Sequence, residues 1–253
     1  MDADSHSLAT RVFFEAFRDL PRLGPGSRRT SLRALDLAGP LPQAPQILEV
    51  GCGEGTVAIL LAEATGGTVT ALDLYPHLLE TLRTRARDRG LGDRIRPVQG
   101  DMADLPFPDR SFDLLWCEGA AYILGVDRAL REWRRVLRAG GRIALSDAVW
   151  TQAIPPEEAK AFWDREYPGM RTREELLDLF QSSGYTDLAA FDQPDEDWWE
   201  DFYAPLEARL SSLREKYREE PEALGVLADI QWEIDLRRRW PGTYGYVFVT
   251  GQV

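Results

Sequence analysis

Apolar positions along the chain recur with two different periods. Between residues 7 and 20, Leu8, Val12, Phe13, Ala16, Phe17 and Leu20 fall at helical spacing, and Pro21 ends the stripe. A Gly-Pro-Gly turn at 24–26 follows, then a second short helix to about Leu37. Pro40, Pro42 and Pro45 make the next stretch a linker. From residue 46 the pattern alternates. β-type runs at 46–50, 68–72, 94–98, 112–116 and 142–146 are mostly separated by helical runs at 57–64, 76–89 and 127–138. Ala139-Gly140-Gly141 reads as the cap of the last of these helices. Such alternation predicts a parallel sheet with helices on both faces and right-handed crossovers.

Beyond residue 150, a helix over 155–167 is followed by a capping box, Thr172 to Glu175, which opens a helix ending at Gly184. Sixth and seventh strands are expected over 185–191 and 244–249. The expected fold is therefore α/β, a doubly wound, seven-stranded, mostly parallel sheet. An N-terminal helical lid (1–40) precedes the core (41–193). A helical insertion (194–241), rich in Trp, Arg and Glu, precedes the last strand (242–253).

Composition narrows the chemistry. Hydrophobic residues make up 44% of the 253 and charged residues 28%, as in ordinary globular proteins. Lys and Arg number 30 against 42 Asp and Glu, a net charge of −12. Such a chain repels polyanions unless its few basic residues cluster, so neither nucleic acid nor an anionic membrane is an expected partner. The two cysteines cannot frame a disulfide scaffold, and His6 and His77 are too few for histidine metal sites or a Ser-His-Asp triad. No metal is expected. The first residues, Met1 to His6, carry no basic and apolar export signal, and no apolar run reaches the length of a membrane span. A soluble cytoplasmic protein is the expectation.

The most informative segment is Glu49-Val50-Gly51-Cys52-Gly53-Glu54-Gly55-Thr56, which closes the first strand and opens a helix. Glycines there let a ligand approach the backbone, and the helix start offers free N–H groups. Asp73, 22 positions after Gly51, stands where a carboxylate can hold both hydroxyls of a ribose. An adenosine-containing ligand follows. The dinucleotide fingerprint wants its third glycine at position 56, where Thr56 stands, and a pyrophosphate would meet Glu49 and Glu54. A ligand carrying an ammonium and a sulfonium suits those acids better, which selects S-adenosylmethionine (SAM). An NAD-dependent oxidoreductase and a non-catalytic SAM-binding module are the alternatives.

The chain resembles class I SAM-dependent methyltransferases. The matching pieces are Glu49 to Gly55, Ala71-Leu72-Asp73-Leu74, Gln99-Gly100-Asp101-Met102, Leu105-Pro106-Phe107, Phe112 to Trp116, Val136 to Arg142, and Leu176 with Gly184-Tyr185. They follow the family's order and are closest to bacterial small-molecule enzymes, including the ubiquinone/menaquinone-biosynthesis type. The resemblance implies that Gly51, Cys52, Gly53 and Gly55 hold the methionine part of SAM and Asp73 the ribose. It places Asp101 at the adenine amino group, with Met102 and Leu74 on the ring faces. Glu49 belongs to the same seat, and Glu118 faces the methionine end or the acceptor. The long insertion departs from the family's usual tight hairpin.

Methyl transfer to a sulfonium-activated carbon requires alignment above all, and a base only for a hydroxyl or weakly acidic carbon. The loops after strands four and five offer Glu118, Tyr122 and Asp147, with Glu118 first. Glu118 reads equally as a ligand to the SAM ammonium, and Asp147 as a turn cap. Trp150, Trp163, Tyr167, Trp198 and Tyr244 outside the core sheet suggest an aromatic chamber for a planar or cationic small molecule, or packing of the accessory helices. The turn at 24–29 could set Arg28 or Arg29 over the SAM carboxylate. The insertion offers a surface for a homodimer.

Overall fold

The structure, a computed structural model, describes residues 7–253, so the expectation for Met1 to His6 lies outside the described residues. Helices α1 (Leu8–Phe17) and α2 (Arg28–Leu37) precede β1 (Gln46–Val50), α3 (Thr56–Thr65), β2 (Thr68–Asp73), α4 (Pro76–Asp88) and β3 (Ile95–Gln99). Next come β4 (Phe112–Glu118), α5 (Val126–Trp133), β5 (Leu137–Trp150), α6 (Glu157–Glu166), β6 (Arg171–Thr172), α7 (Arg173–Ser182) and β7 (Thr186–Asp192). A short α8 (Glu196–Trp198), α9 (Ala204–Lys216), α10 (Pro221–Arg239) and β8 (Tyr244–Gln252) complete the chain.

The main path of the sheet runs β3-β2-β1-β4-β5-β8-β7. β1 to β5 are parallel, while β8 runs antiparallel between β5 and β7. This is the doubly wound α/β sheet that the alternating pattern predicts. The two-residue β6, paired with the end of β5, is an eighth strand that lies off the seven-strand path. It was too short to register as a period.

One local expectation is corrected. The helix expected over 127–138 stops at Trp133 and passes through a single tight turn, Arg134–Val136. Ala139-Gly140-Gly141 is not a helix cap but an irregularity inside β5. Leu137 already pairs with Phe112, and regular pairing resumes at Arg142 opposite Leu114. The loop is held from far along the chain. Gly140 donates its N–H to Val253, and Val253 donates back to Gly141. Four residues of β5 thus face one of β4, a large bulge whose unusual backbone glycine absorbs.

Period two sorts the sheet residues onto two faces. Leu48, Val50, Leu115 and Cys117 belong to one apolar cluster with α5 and α7. Ile47, Ala71, Leu114 and Trp116 belong to the other, with α3 and α4. Cys52 sits in this second cluster, so the two buried thiols lie in separate cores. α3 buries six consecutive residues, Val57 to Ala62, because it is sandwiched rather than amphipathic. A third cluster joins α1, through Val12 and Ala16, to α9, α10 and the outer ends of β5 and β8. The arm before the core and the insertion after it thus form one accessory layer. Among the described residues no helix is long and apolar enough to cross a membrane.

Candidate active site

Pairing register builds the site. Glu49 on β1 lies opposite Ala71 of β2 and Trp116 of β4. Two residues further along each neighbouring strand, on the same face, come Asp73 and Glu118. Three carboxylates therefore stand at the C-terminal ends of three adjacent strands, where open α/β sheets bind ligands. They line a cleft of about 350 Å³.

The glycine turn crosses the cleft above these acids. Gly51 and Cys52 donate their N–H groups to the Leu72 carbonyl, and Gly53 donates to Asp73 Oδ2 at 2.8 Å. Tyr75 N–H donates to the other oxygen, Oδ1, at 3.0 Å, so Asp73 ties the turn to the start of α4. Gly51 has φ +74°, and a Cβ there would stand 2.6 Å from the Ala120 Cβ. Any side chain would close the cleft as well as strain the backbone. Gly55 behaves differently. It caps α3 at φ +82° and a Cβ would overlap Leu82 of α4, yet it does not line the cleft. Its assignment to the ligand is corrected: the third glycine serves helix packing.

Glu118 is heavily engaged. Its Oε1 accepts from Ser31 Oγ at 2.7 Å and Trp116 Nε1 at 2.9 Å, and its Oε2 accepts from Arg22 Nη1 at 2.7 Å. Arg22 and Glu118 are 7% and 10% exposed, and Arg22 also donates to Ser31 Oγ. Glu49 is the opposite case. It is buried, and its Oε2 has no hydrogen-bond partner in the protein. Burial, and then the charges of Glu118 and Asp73, push its carboxyl well above the usual range, against the pull of Arg22. An orphaned buried carboxylate oxygen beside two further acids is a seat for a cationic group.

The arm closes one side of this cleft. Phe14, Leu20, Arg22 and Leu23 line it, and Thr56 Oγ1 donates to the Pro21 carbonyl at 2.9 Å. Arg22 is the cation that sequence reasoning missed. Of Arg28 and Arg29, the residues expected there, neither lines the cleft, and Arg28 turns outward to Glu63 at 3.3 Å. Glu54 lines the cleft but is turned to Arg85 at 2.5 Å. At the far end, Leu74, Asp101 and Met102 line the cleft as a group, and Asp101 Oδ1 accepts from Ala103 N–H at 2.8 Å. Phe14 meets Tyr75 and His77 edge-on at ring distances of 4.7 Å, which places His77 at this rim.

Of the three residues considered for catalysis, Glu118 and Tyr122 line the cleft and Asp147 does not. None of Trp150, Trp163, Tyr167, Trp198 and Tyr244 lines it either. They pack in the third cluster, with Trp163 and Trp198 edge-on to Tyr244 at 4.9 and 5.6 Å. Trp150, Trp163, Trp198 and Tyr244 pack in a core that adjoins the cleft rather than around an open chamber, and Tyr167 stands at the edge of that core, 5.3 Å from the ring of Tyr122. Rings at helical or strand spacing look alike in sequence whether they line a space or fill one.

A protein-family model described as a methyltransferase domain matches residues 47–141. The demethylmenaquinone methyltransferase of Listeria welshimeri is 30% identical over 168 residues, covering 55% of this chain and 70% of that protein. The chain belongs to the class I SAM-dependent methyltransferases. Methyltransferase GfsG of Streptomyces halstedii is 42% identical over 105 residues, which is 41% of this chain and 38% of that protein. The chain thus matches less than half the length of GfsG. Among solved structures, the [4+2]-cyclase SpnF superposes with a TM-score of 0.77 at 22% identity, covering 97% of this chain and 92% of that one. That likeness extends the shared fold to the accessory layer and speaks for the fold alone.

Proposed function

We propose that the protein transfers a methyl group from SAM to a small-molecule acceptor. One observation carries this reading. Glu49 keeps an unpartnered, buried oxygen next to Asp73 and Glu118 in a cleft whose only lining cation, among the described residues, is Arg22. A pyrophosphate would be repelled there, whereas an amino-acid ammonium and a sulfonium are stabilised.

In this reading Glu49 binds the ammonium and Arg22 the carboxylate of the methionine part. Asp73 holds the ribose; both its oxygens already accept one backbone N–H, and each keeps a second acceptor site. Asp101 accepts from the adenine amino group between Met102 and Leu74. Bound in this seat, SAM supplies a methyl already activated by sulfonium. The protein's own task is to hold the acceptor in line and exclude water, and alignment of this kind contributes roughly 7–11 kcal/mol. Glu118, held by Arg22, Ser31 and Trp116, acts as a positioning residue that locks the arm over the cleft rather than as a base. The buried free thiols suit a reducing cytoplasm, where we place the protein.

A metabolite panel assayed for S-adenosylhomocysteine (SAH) release, with mass detection of the methylated product, tests the reading. A product heavier by one methyl group is expected. Binding of NAD with no affinity for SAH would overturn it.

A further inference from the structure

Beyond the inner end of the cleft lies acidic chemistry that the cofactor seat does not use. Ser146 of β5 pairs with Glu118, and Gly119, the residue that follows β4, lines the cleft and donates its N–H to the Ser146 carbonyl. Asp147 follows Ser146 and so stands beside the cleft at the level of Gly119. It is 1% exposed; Oδ2 accepts from Tyr167 Oη at 2.6 Å, and Oδ1 is buried with no partner in the protein. The Tyr167 ring lies 5.3 Å from the ring of Tyr122, which lines the cleft and is 40% exposed. Tyr246 converges on the same corner: a Cβ at Gly119 would sit 3.2 Å from its hydroxyl. A second carboxylate, Glu233 of α10, accepts from Tyr203 Oη at 2.7 Å, and its charge reaches Tyr122 and Tyr246.

The basic groups that act on these pairs are Arg171, beside Asp147 and Tyr167, and Arg237, near Tyr203 and already held by Asp195 and the Tyr244 carbonyl. Glu166 adds a third negative charge near Tyr122 and Glu233.

We propose that this corner, formed by Tyr122, Tyr167 and Tyr246 with Asp147 and Glu233, is the acceptor site, and that it receives an amine entering as its ammonium ion. The inference rests on the SAM seat described above. Phenol faces and carboxylates together select a cation. An anionic acceptor would be repelled, and a neutral one gains nothing from the charges. Burial holds the Asp147 carboxyl up at about 7 and raises that of Glu233, so both are primed to ionise when a cation arrives. Asp147 Oδ1 then takes a proton from the ammonium. The freed nitrogen lone pair forms the N–C bond as the C–S bond breaks with its electrons going to sulfur, and the product leaves as a methylated ammonium. Tyr167 is a positioning residue that fixes the other oxygen of Asp147.

The test uses the full chain saturated with SAH and three probes of one shape: benzylamine, benzyl alcohol and benzoate. Binding is read by calorimetry or ligand-observed NMR in the wild type and in Asp147→Asn, Glu233→Gln and Tyr167→Phe. Benzylamine is expected to bind about tenfold more tightly than the alcohol, with benzoate weakest. Asp147→Asn should remove that preference and Glu233→Gln reduce it, while SAH affinity stays within about twofold. Should Asp147→Asn fail to fold, Glu233→Gln and the three-probe ranking in the wild type decide. Equal or tighter binding of benzoate or the alcohol, no probe binding to the SAH-loaded protein, or an unchanged preference in the variants would overturn the inference. Loss of SAH binding by the wild type would instead sink the cofactor seat itself.

Discussion

The two ends of the site are built on opposite principles. At the cofactor end, two of the three carboxylates are tied by several donors each: Asp73 by the backbone of Gly53 and Tyr75, and Glu118 by Trp116 of its own strand, Ser31 and Arg22. Glu49 is left with an orphan oxygen. At the acceptor end, each carboxylate is held by one phenol donated from a distant segment, Tyr167 to Asp147 and Tyr203 to Glu233. The first end is a cradle cross-tied by several bonds, and the second hangs on single phenol contacts between elements. Asp73 and Glu118 are therefore held by more bonds than the carboxylates of the proposed acceptor corner.

The contrast can be broken in four places. The largest effect concerns Asp147. Burial raises its carboxyl from 3.8 to about 7, so the folded chain keeps a proton that the unfolded chain has lost. Stability that is full below pH 4 should fall as pH rises through about 7, by up to roughly 4 kcal/mol. Urea unfolding of wild type and Asp147→Asn at pH 5 and pH 8 checks this. The variant should gain on the wild type as pH rises, and a pH-independent difference would show that Asp147 is not held neutral.

Next is Asp73→Ala, which removes two backbone bonds of the turn together with the ribose contact. SAH affinity should drop about 100-fold by calorimetry, or roughly 3 kcal/mol, and a loss below threefold would break the cradle description. Gly55→Ala comes third. It strains a left-handed backbone and overpacks Leu82, for about 2 kcal/mol of stability by thermal or urea unfolding. The folded fraction should still bind SAH within about threefold, because Gly55 packs helices and does not touch the cleft. The smallest contrast pairs two arginines: Arg22→Ala should weaken SAH about tenfold and Arg28→Ala less than twofold.

Turns and strand period could be read from the chain, and side-chain contacts between distant segments at either end could not. The placement of Glu49, Gly51, Gly53 and Asp73 at one cleft was legible because it depends on a turn and on strand period. The sheet was legible for the same reason. Arg22 was not: nothing nearby marks it apart from Arg28, and only the fold brings it 96 residues back onto Glu118. The Gly140–Gly141 bulge mimicked a helix cap because its partner, Val253, is at the other end of the sequence. The Tyr167–Asp147 and Tyr203–Glu233 pairs join residues 20 and 30 apart across different elements, beyond the reach of any periodic pattern.

Calorimetric titration of the full chain with SAH, with NAD titrated in parallel, bears most directly on the acid-lined glycine cradle. One SAH bound per chain, with no heat from NAD at the same concentrations, is the expected result. Saturable binding of NAD together with a flat SAH isotherm would contradict it.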